Sequence, residues 1–122
     1  MVIFDKSITL SEKMNEYDKE SLKVFAGDLR LRKLSQLKKA DLVAKIVEKL
    51  LDPATMFYRA SILTDKEIDV FEKGFDGPVV SADKDLNAVG TLNEMDFIVV
   101  SNREYIVPSD VVSAWKLEWM VV

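Results

Sequence analysis

The residues of this chain that could do chemistry are mainly basic, and they are concentrated in one stretch. Residues 21–51 contain eight of the seventeen basic residues but only three of the twenty-one acidic ones, so this stretch has a net charge of +5. The rest of the chain carries −9, and the whole chain −4. Positive charge gathered in one part of an acidic chain indicates a surface that meets a negatively charged partner such as phosphate.

Chemistry that needs histidine or cysteine is excluded, because the chain contains neither residue. It therefore has no Ser-His pair, no cysteine nucleophile and no imidazole base. Carboxylate pairs occur, and two carboxylates suffice for glycosidase-type catalysis. The sequence has no glycine-rich phosphate loop, nucleophile elbow or calcium loop, however, and the acidic clusters over 65–76 and 83–85 are typical of solvated helix faces. We expect no enzymatic activity, no metal and no cofactor.

No segment predicts a membrane or secretory destination. No apolar run approaches the roughly 20 residues that span a bilayer. The first ten residues lack the basic region and long apolar core of a signal peptide. The absence of cysteine is compatible with a reducing compartment. We therefore expect a cytoplasmic chain that does not contact membranes.

Capping signals divide the first half into helices around an extended turn. The capping box Thr9–Glu12 predicts a helix over residues 10–17. Asp18 caps the next helix, whose apolar stripe is Leu22, Phe25, Ala26 and Leu29. Residues 30–34 break this rhythm and are predicted to be extended. Ser35 is expected to cap a further helix, with the core-facing residues Leu37, Leu42, Ile46, Val47 and Leu50.

Three more helices follow. Asp52 and Pro53 predict the start of a short aromatic helix over 53–60. The capping box Thr64–Glu67 predicts a helix that ends near Lys73, with Gly74 as its C-cap. Ser81 is expected to cap a helix over 82–94, with the buried residues Leu86, Val89 and Leu92.

The strongest β pattern lies near the C-terminus. β-Branched and aromatic runs flank Asn102, which tolerates a left-handed turn conformation. We therefore predict a hairpin with strands over 97–100 and 104–107. The final helix is expected to start at Ser109 or Asp110.

Trp115 and Trp119 are four residues apart, on one face of that final helix. Two indoles are a large apolar area to leave in water. We expect both rings to be at least half buried, against the hairpin or against a second copy in a homodimer. Otherwise a missing C-terminal domain would cover them.

Residues 21–51 resemble the SAP family and the related N-terminal module of the Rho transcription terminator. The matching features are the SLKVFA opening, the leucine-spaced turn 31–34 and the LKKADLV start of the second helix. The resemblance implies a helix–extended turn–helix element that contacts DNA or RNA mainly at the backbone. The contact residues carried over by position are Arg30, Arg32, Lys33, Ser35, Lys38 and Lys39. SAP modules have a glycine in the turn, whereas here Gly27 lies before it.

Residues 61–118 resemble a winged-helix domain, with the hairpin as the wing. Its recognition helix would be acidic, because Lys84 is outnumbered by Asp83, Asp85, Glu94 and Asp96. DNA phosphates would repel such a helix, so we expect this half to be a scaffold or a protein contact. The pairing of the two halves is similar to that in uncharacterised bacterial proteins.

The expected fold is mainly α, with a SAP-like helical half over residues 1–60 and a winged-helix-like half over residues 61–122 that carries one β-hairpin. The two halves can also form one compact domain. They are expected to pack together through Phe57, Tyr58, Ile62 and Phe71.

The expected function is non-enzymatic binding of DNA or RNA through phosphate contacts, with weak sequence preference because phosphates carry no sequence information. The overall negative charge predicts a modest affinity. The alternative is a protein–protein interaction or scaffold domain, or a fragment of a larger protein.

Overall fold

The computed structural model describes residues 8–34 and 36–119, with side chains up to residue 116. Within these residues the fold is mainly helical, with a small antiparallel sheet, as the sequence predicts. The elements, in chain order, are α1 (Leu10–Met14), α2 (Lys19–Asp28), α3 (Lys39–Leu51), α4 (Pro53–Ser61), α5 (Asp65–Lys73), β1 (Val79–Val80), α6 (Leu86–Glu94), β2 (Val99–Ser101), β3 (Glu104–Ile106) and α7 (Ser109–Trp119).

Most of the predicted helix starts are confirmed. Thr9 and Thr64 form complete capping boxes at α1 and α5. Asp18 and Asp52 accept hydrogen bonds from backbone amides in the first turns of α2 and α4. These caps depend on residues three positions apart, so they form from local sequence alone.

Two predicted starts are wrong. Lys38 is the N-cap of α3, so this helix begins later than a Ser35 cap would place it, and Ser35 itself lies outside the described residues. The segment after Ser81 begins with a short 3-10 turn (Asp83–Asp85) before α6. As a consequence, Leu86 starts α6 and is half exposed, whereas Val89 and Leu92 are buried as predicted.

The predicted hairpin is present as β2 and β3, joined by a turn in which Asn102 adopts a φ of 55°. The sequence interpretation missed β1, which pairs antiparallel with β3 and gives the order β1-β3-β2. β1 has only two residues, Val79 and Val80, which is too short for an alternating pattern to reveal it.

The core draws on both halves of the chain. Phe71 lies at its centre and makes edge-to-face contacts with Phe75, Phe97 and Trp115, with ring centroids 4.9–5.2 Å apart. Trp115 is 6% exposed, which confirms its predicted burial. The side chain of Trp119 lies outside the described residues. The tightly buried residues around this cluster include Leu22, Leu42, Ile46, Leu50, Val70, Leu92, Ile98 and Tyr105.

The prediction that α4 packs through its large apolar residues is wrong. Phe57, Tyr58 and Ile62 are 52%, 70% and 62% exposed, whereas Met56 and Ala60 are buried. Met56 and Ala60 are four residues apart and so share one face of α4, which is the face that meets the core. The face of α4 that packs is therefore not the one that carries its largest apolar side chains.

A buried polar cluster, which we call the Lys13 latch, ties α1 to the turn after α6. The Lys13 ammonium lies 3.0 Å from the Asp96 carboxylate and donates to the backbone carbonyls of Asn93 (2.9 Å) and Ile98 (2.6 Å). The Tyr17 hydroxyl donates to the same carboxylate at 2.6 Å. Burial, and then the Asp96 hydrogen bond, raise the pKa of Tyr17, while burial lowers the pKa of Lys13 against the opposing effect of Asp96.

Among the described helices, none is both long and apolar enough to cross a membrane. The described residues also contain no group of three or more carboxylates arranged to hold a metal ion.

Candidate nucleic-acid interface

Helices α2 and α3 run in the same direction. At their starts, the Lys39 ammonium donates to the Asn15 carbonyl at 2.9 Å. The Ser21 backbone N–H, and to a lesser extent the Lys39 charge, lower the pKa of Asp18, the α2 N-cap. At their ends, Leu29 after α2 and Lys49 near the end of α3 line one groove. The chain between the two helices must therefore travel back along their length.

The return path begins with a tight C-terminal cap on α2. The Arg30 amide donates to Gly27 and the Leu31 amide donates to Ala26, which is the pattern of a Schellman motif. Arg30 and Lys33 both adopt a left-handed φ of 62°, a conformation that costs a non-glycine residue about 1 kcal/mol or more. Arg30 thus occupies the kind of turn position that favours glycine, and its side chain is exposed.

The predicted contact residues have different surroundings. Arg30, Arg32, Lys33 and Lys38 are exposed, and none of them forms an ion pair or side-chain hydrogen bond within the described part of the chain. Lys39 is half buried and is held by the Asn15 carbonyl, so it is less available to a ligand. The structure therefore leaves four of the predicted cations available.

The start of α3 differs from those of α1, α2, α4 and α5, because its N-cap residue, Lys38, makes no side-chain capping hydrogen bond. The backbone N–H groups of a first helical turn are natural partners for an anion. Here the N-cap residue itself, Lys38, carries a positive charge, although Asp41 in the first turn opposes part of it. This combination of donors suits a phosphate group better than a neutral ligand.

A groove of about 500 Å³ lies between the end of α2, the end of α3 and α4. Of the predicted contact residues, only Arg30 lines it. The other lining residues are Phe25, Asp28, Leu29, Lys49, Asp52, Ala54, Thr55, Tyr58 and Arg59. A smaller depression of about 210 Å³ shares Lys49 and Asp52 with this groove and adds Leu31, Lys45 and Glu48.

Lys45 and Lys49 were not among the predicted contacts. They are four residues apart and so lie on one face of α3, a spacing that the sequence does show. The position of Lys49 in the same groove lining as Arg30 depends on the parallel course of the two helices, which the spacing alone does not reveal. Tyr58 was missed as a site residue because it was assigned to the core.

In the second half, two of the basic residues, Lys66 and Lys73, pair with a buried carboxylate. Asp85 is buried and forms ion pairs with Lys66 and, at 3.9 Å, with Lys73. The hydrogen bond from Lys66 holds the pKa of this carboxyl below its usual range. Arg103 is exposed in the hairpin turn beside the equally exposed Glu104. We find no concentrated positive surface among the described residues of this half.

Comparisons of the chain with protein-family models, with curated proteins and with solved structures find no match. The functional inference therefore comes from the residues and geometry described above.

Proposed function

We propose that this chain is a non-enzymatic, cytoplasmic nucleic-acid-binding protein that contacts the phosphate backbone through the segment from Arg30 to Lys39. The observation that carries the proposal is a set of four exposed cations that have no ion-pair or side-chain hydrogen-bond partner among the described residues, Arg30, Arg32, Lys33 and Lys38. They lie around a helix start whose N-cap residue makes no side-chain capping hydrogen bond. Such like-charged groups do not stabilise one another, whereas contact with the phosphates of a polyanion gives each of them a favourable interaction energy.

The course of the chain adds support. Two helices joined by an extended segment are what the resemblance to the SAP family implies. In the second half, the strand order β1-β3-β2 with a hairpin between β2 and β3 is similar to a winged helix. The pairing of Lys66 and Lys73 with the buried Asp85 leaves these cations less available to phosphate, which supports a scaffold role for the winged-helix-like half.

The binding should be modest in affinity and strongly dependent on salt. Four phosphate contacts on duplex DNA correspond to a slope of about −3.6 in log K against log salt. Raising the salt concentration from about 50 to about 200 mM should then weaken binding roughly 100-fold. The net charge of −4 lowers the affinity further through long-range repulsion.

The test is a fluorescence-anisotropy titration that compares Arg32→Glu/Lys38→Glu with a charge-matched control, Lys84→Glu/Arg103→Glu. Both double variants change the net charge by −4, and all four residues are exposed. The first should weaken binding at least about tenfold and reduce the salt slope by about 2. The control should keep the wild-type slope. Equal effects of both variants would contradict a local interface.

A second candidate function, protein–protein interaction, is favoured by the exposed apolar residues of α4. Phe57, Tyr58 and Ile62 are each more than half exposed, which is unusual for three large side chains so close in sequence. Failure of the wild-type chain to bind DNA or RNA at about 50 mM salt, where phosphate contacts are strongest, would favour this second function.

A further inference from the structure

The groove between α2 and α4 combines aromatic and basic side chains. Tyr58 lines one side of it and is 70% exposed, and the half-buried Phe25 and Leu29 also line it. Arg30 and Lys49 lie in the same lining and have no ion-pair partner among the described residues. The volume of about 500 Å³ is in the range of sites for small ligands or parts of larger ones.

We propose that this groove takes an unpaired base of a single-stranded nucleic acid, which stacks on Tyr58 while Arg30 and Lys49 hold the flanking phosphates. This inference rests on the proposed function and narrows it from nucleic acids in general to single strands. An exposed aromatic ring beside cations is the arrangement by which proteins bind single strands without reading their sequence. A duplex cannot offer the same contact, because its bases are already paired and stacked.

The acidic residues of the groove also favour a ligand whose phosphates face Arg30 and Lys49 and whose base lies in the groove. Asp28 and Asp52 repel phosphate, but their carboxylates can accept hydrogen bonds from base amino and ring N–H groups. Asp52 already accepts from the Thr55 amide at 3.1 Å, whereas the Asp28 carboxylate makes no hydrogen bond or ion pair within the described residues. The base would therefore point toward the carboxylates, and the backbone toward Arg30 and Lys49.

The adjoining depression indicates the path that the strand would follow beyond the groove. It shares Lys49 and Asp52 with the groove and adds Lys45 and Leu31, so a neighbouring nucleotide would find another cation and a further apolar contact. Arg59 also lines the groove, but its guanidinium donates to the Met95 carbonyl and lies 4.8 Å from the Phe97 ring centre. We infer that Arg59 holds the wall of the groove in place and does not contact the ligand.

The experiment uses a fluorescein-labelled single strand of about 12 nucleotides, the corresponding duplex, and the full chain at about 50 mM salt. Tyr58→Ala should weaken single-strand binding about 5- to 100-fold, the usual loss for one stacked base, and leave duplex binding unchanged. Phe57→Ala is the matched control, because Phe57 is the neighbouring exposed aromatic of α4 and is not part of the groove lining. It should bind the single strand as the wild type does.

A strand containing 2-aminopurine provides a second readout, since its fluorescence should fall on stacking with the wild type but not with Tyr58→Ala. If the wild type binds single strand and duplex equally and Tyr58→Ala changes neither, the groove inference is overturned, while the Arg32→Glu/Lys38→Glu comparison still decides the proposed function. If the wild type binds neither probe, the proposed function fails and the groove inference fails with it.

Discussion

Lys13→Met should destabilise this protein more than any surface lysine substitution, although lysine is usually a surface residue. Lys13 is 7% exposed and Asp96 is 6% exposed, and their charges lie 3.0 Å apart. Methionine keeps most of the length and apolar surface of lysine and removes the ammonium group. The substitution therefore tests the polar contacts of the Lys13 latch with little change in packing.

The size of the destabilisation follows from the polar groups that lose their partner when the Lys13 ammonium is removed. Without it, the buried Asp96 carboxylate keeps the Tyr17 hydroxyl but loses its counter-charge, and the Asn93 and Ile98 carbonyls lose a charged donor. Removal of one partner from a buried ion pair typically costs about 3–5 kcal/mol. A domain of this size has a free energy of unfolding of roughly 6–15 kcal/mol, so the loss is a large fraction of the total.

The assay is urea unfolding at neutral pH, followed by circular dichroism. With an m value of roughly 1.5 kcal/mol/M, the midpoint should fall by about 2–3 M. Lys23→Met is the matched control, because within the described residues the ammonium of the partly exposed Lys23 pairs with Glu20 alone, at 3.7 Å. It should cost less than about 0.5 kcal/mol. Equal losses for the two variants would refute the assignment of the latch as a major stabilising contact.

A double-mutant cycle separates the ion pair from the rest of the latch. Asp96 adopts a φ of 62°, and asparagine tolerates this left-handed conformation, so Asp96→Asn removes the charge without straining the backbone. The double variant Lys13→Met/Asp96→Asn should be less destabilised than the sum of the single variants, because each single variant leaves one buried charge without its partner and the double variant leaves none. Simple additivity would mean that the two groups do not interact.

Two further predictions concern the glycines and the acid stability. Gly74→Ala should destabilise the protein by about 1–3 kcal/mol in the same urea assay, because a Cβ there would meet Val107 Cγ2 at 3.0 Å and Tyr105 Cε2 at 3.1 Å. Gly27→Ala, at the second-to-last position of α2, should stabilise it by about 0.5–1 kcal/mol, because a Cβ there would meet no described atom within 4 Å. The lowered pKa of Asp85 contributes stability that is present above its usual value of 3.8 and is lost as the pH falls through the folded-state pKa. Asp85→Asn should therefore flatten the pH dependence of stability in that acidic range, and an unchanged slope in acid titrations of urea unfolding would contradict this.

The features that the sequence predicted correctly depend on neighbours in the chain. The Thr9 and Thr64 capping boxes join residues three positions apart, and the hairpin turn needs only a residue that tolerates positive φ, Asn102. The exposure of Arg32 and Lys38 follows from their charge alone. Interactions of this range do not depend on how distant segments pack.

The features that the sequence did not reveal depend on distant segments. Lys13 looks like any surface lysine, and its acceptors lie at positions 93, 96 and 98, about eighty residues away. The sequence interpretation placed Met56, Phe57 and Tyr58 together in the core, whereas only the face of α4 with Met56 packs there. The groove was missed for the same reason, since its walls come from three helices.

The Lys13 latch and the groove are linked through Arg59. Its guanidinium binds the Met95 carbonyl, one residue before Asp96, and lies over Phe97, one residue after it. Tyr58 directly precedes Arg59 on α4. The Arg59 contacts that hold α4 against the turn around Asp96 therefore also fix the position of Tyr58 at the groove. The exposed aromatic face of α4 is thus held by buried polar contacts. This explains how α4 can present Tyr58 to solvent while Met56 and Ala60, on its opposite face, are fixed in the core.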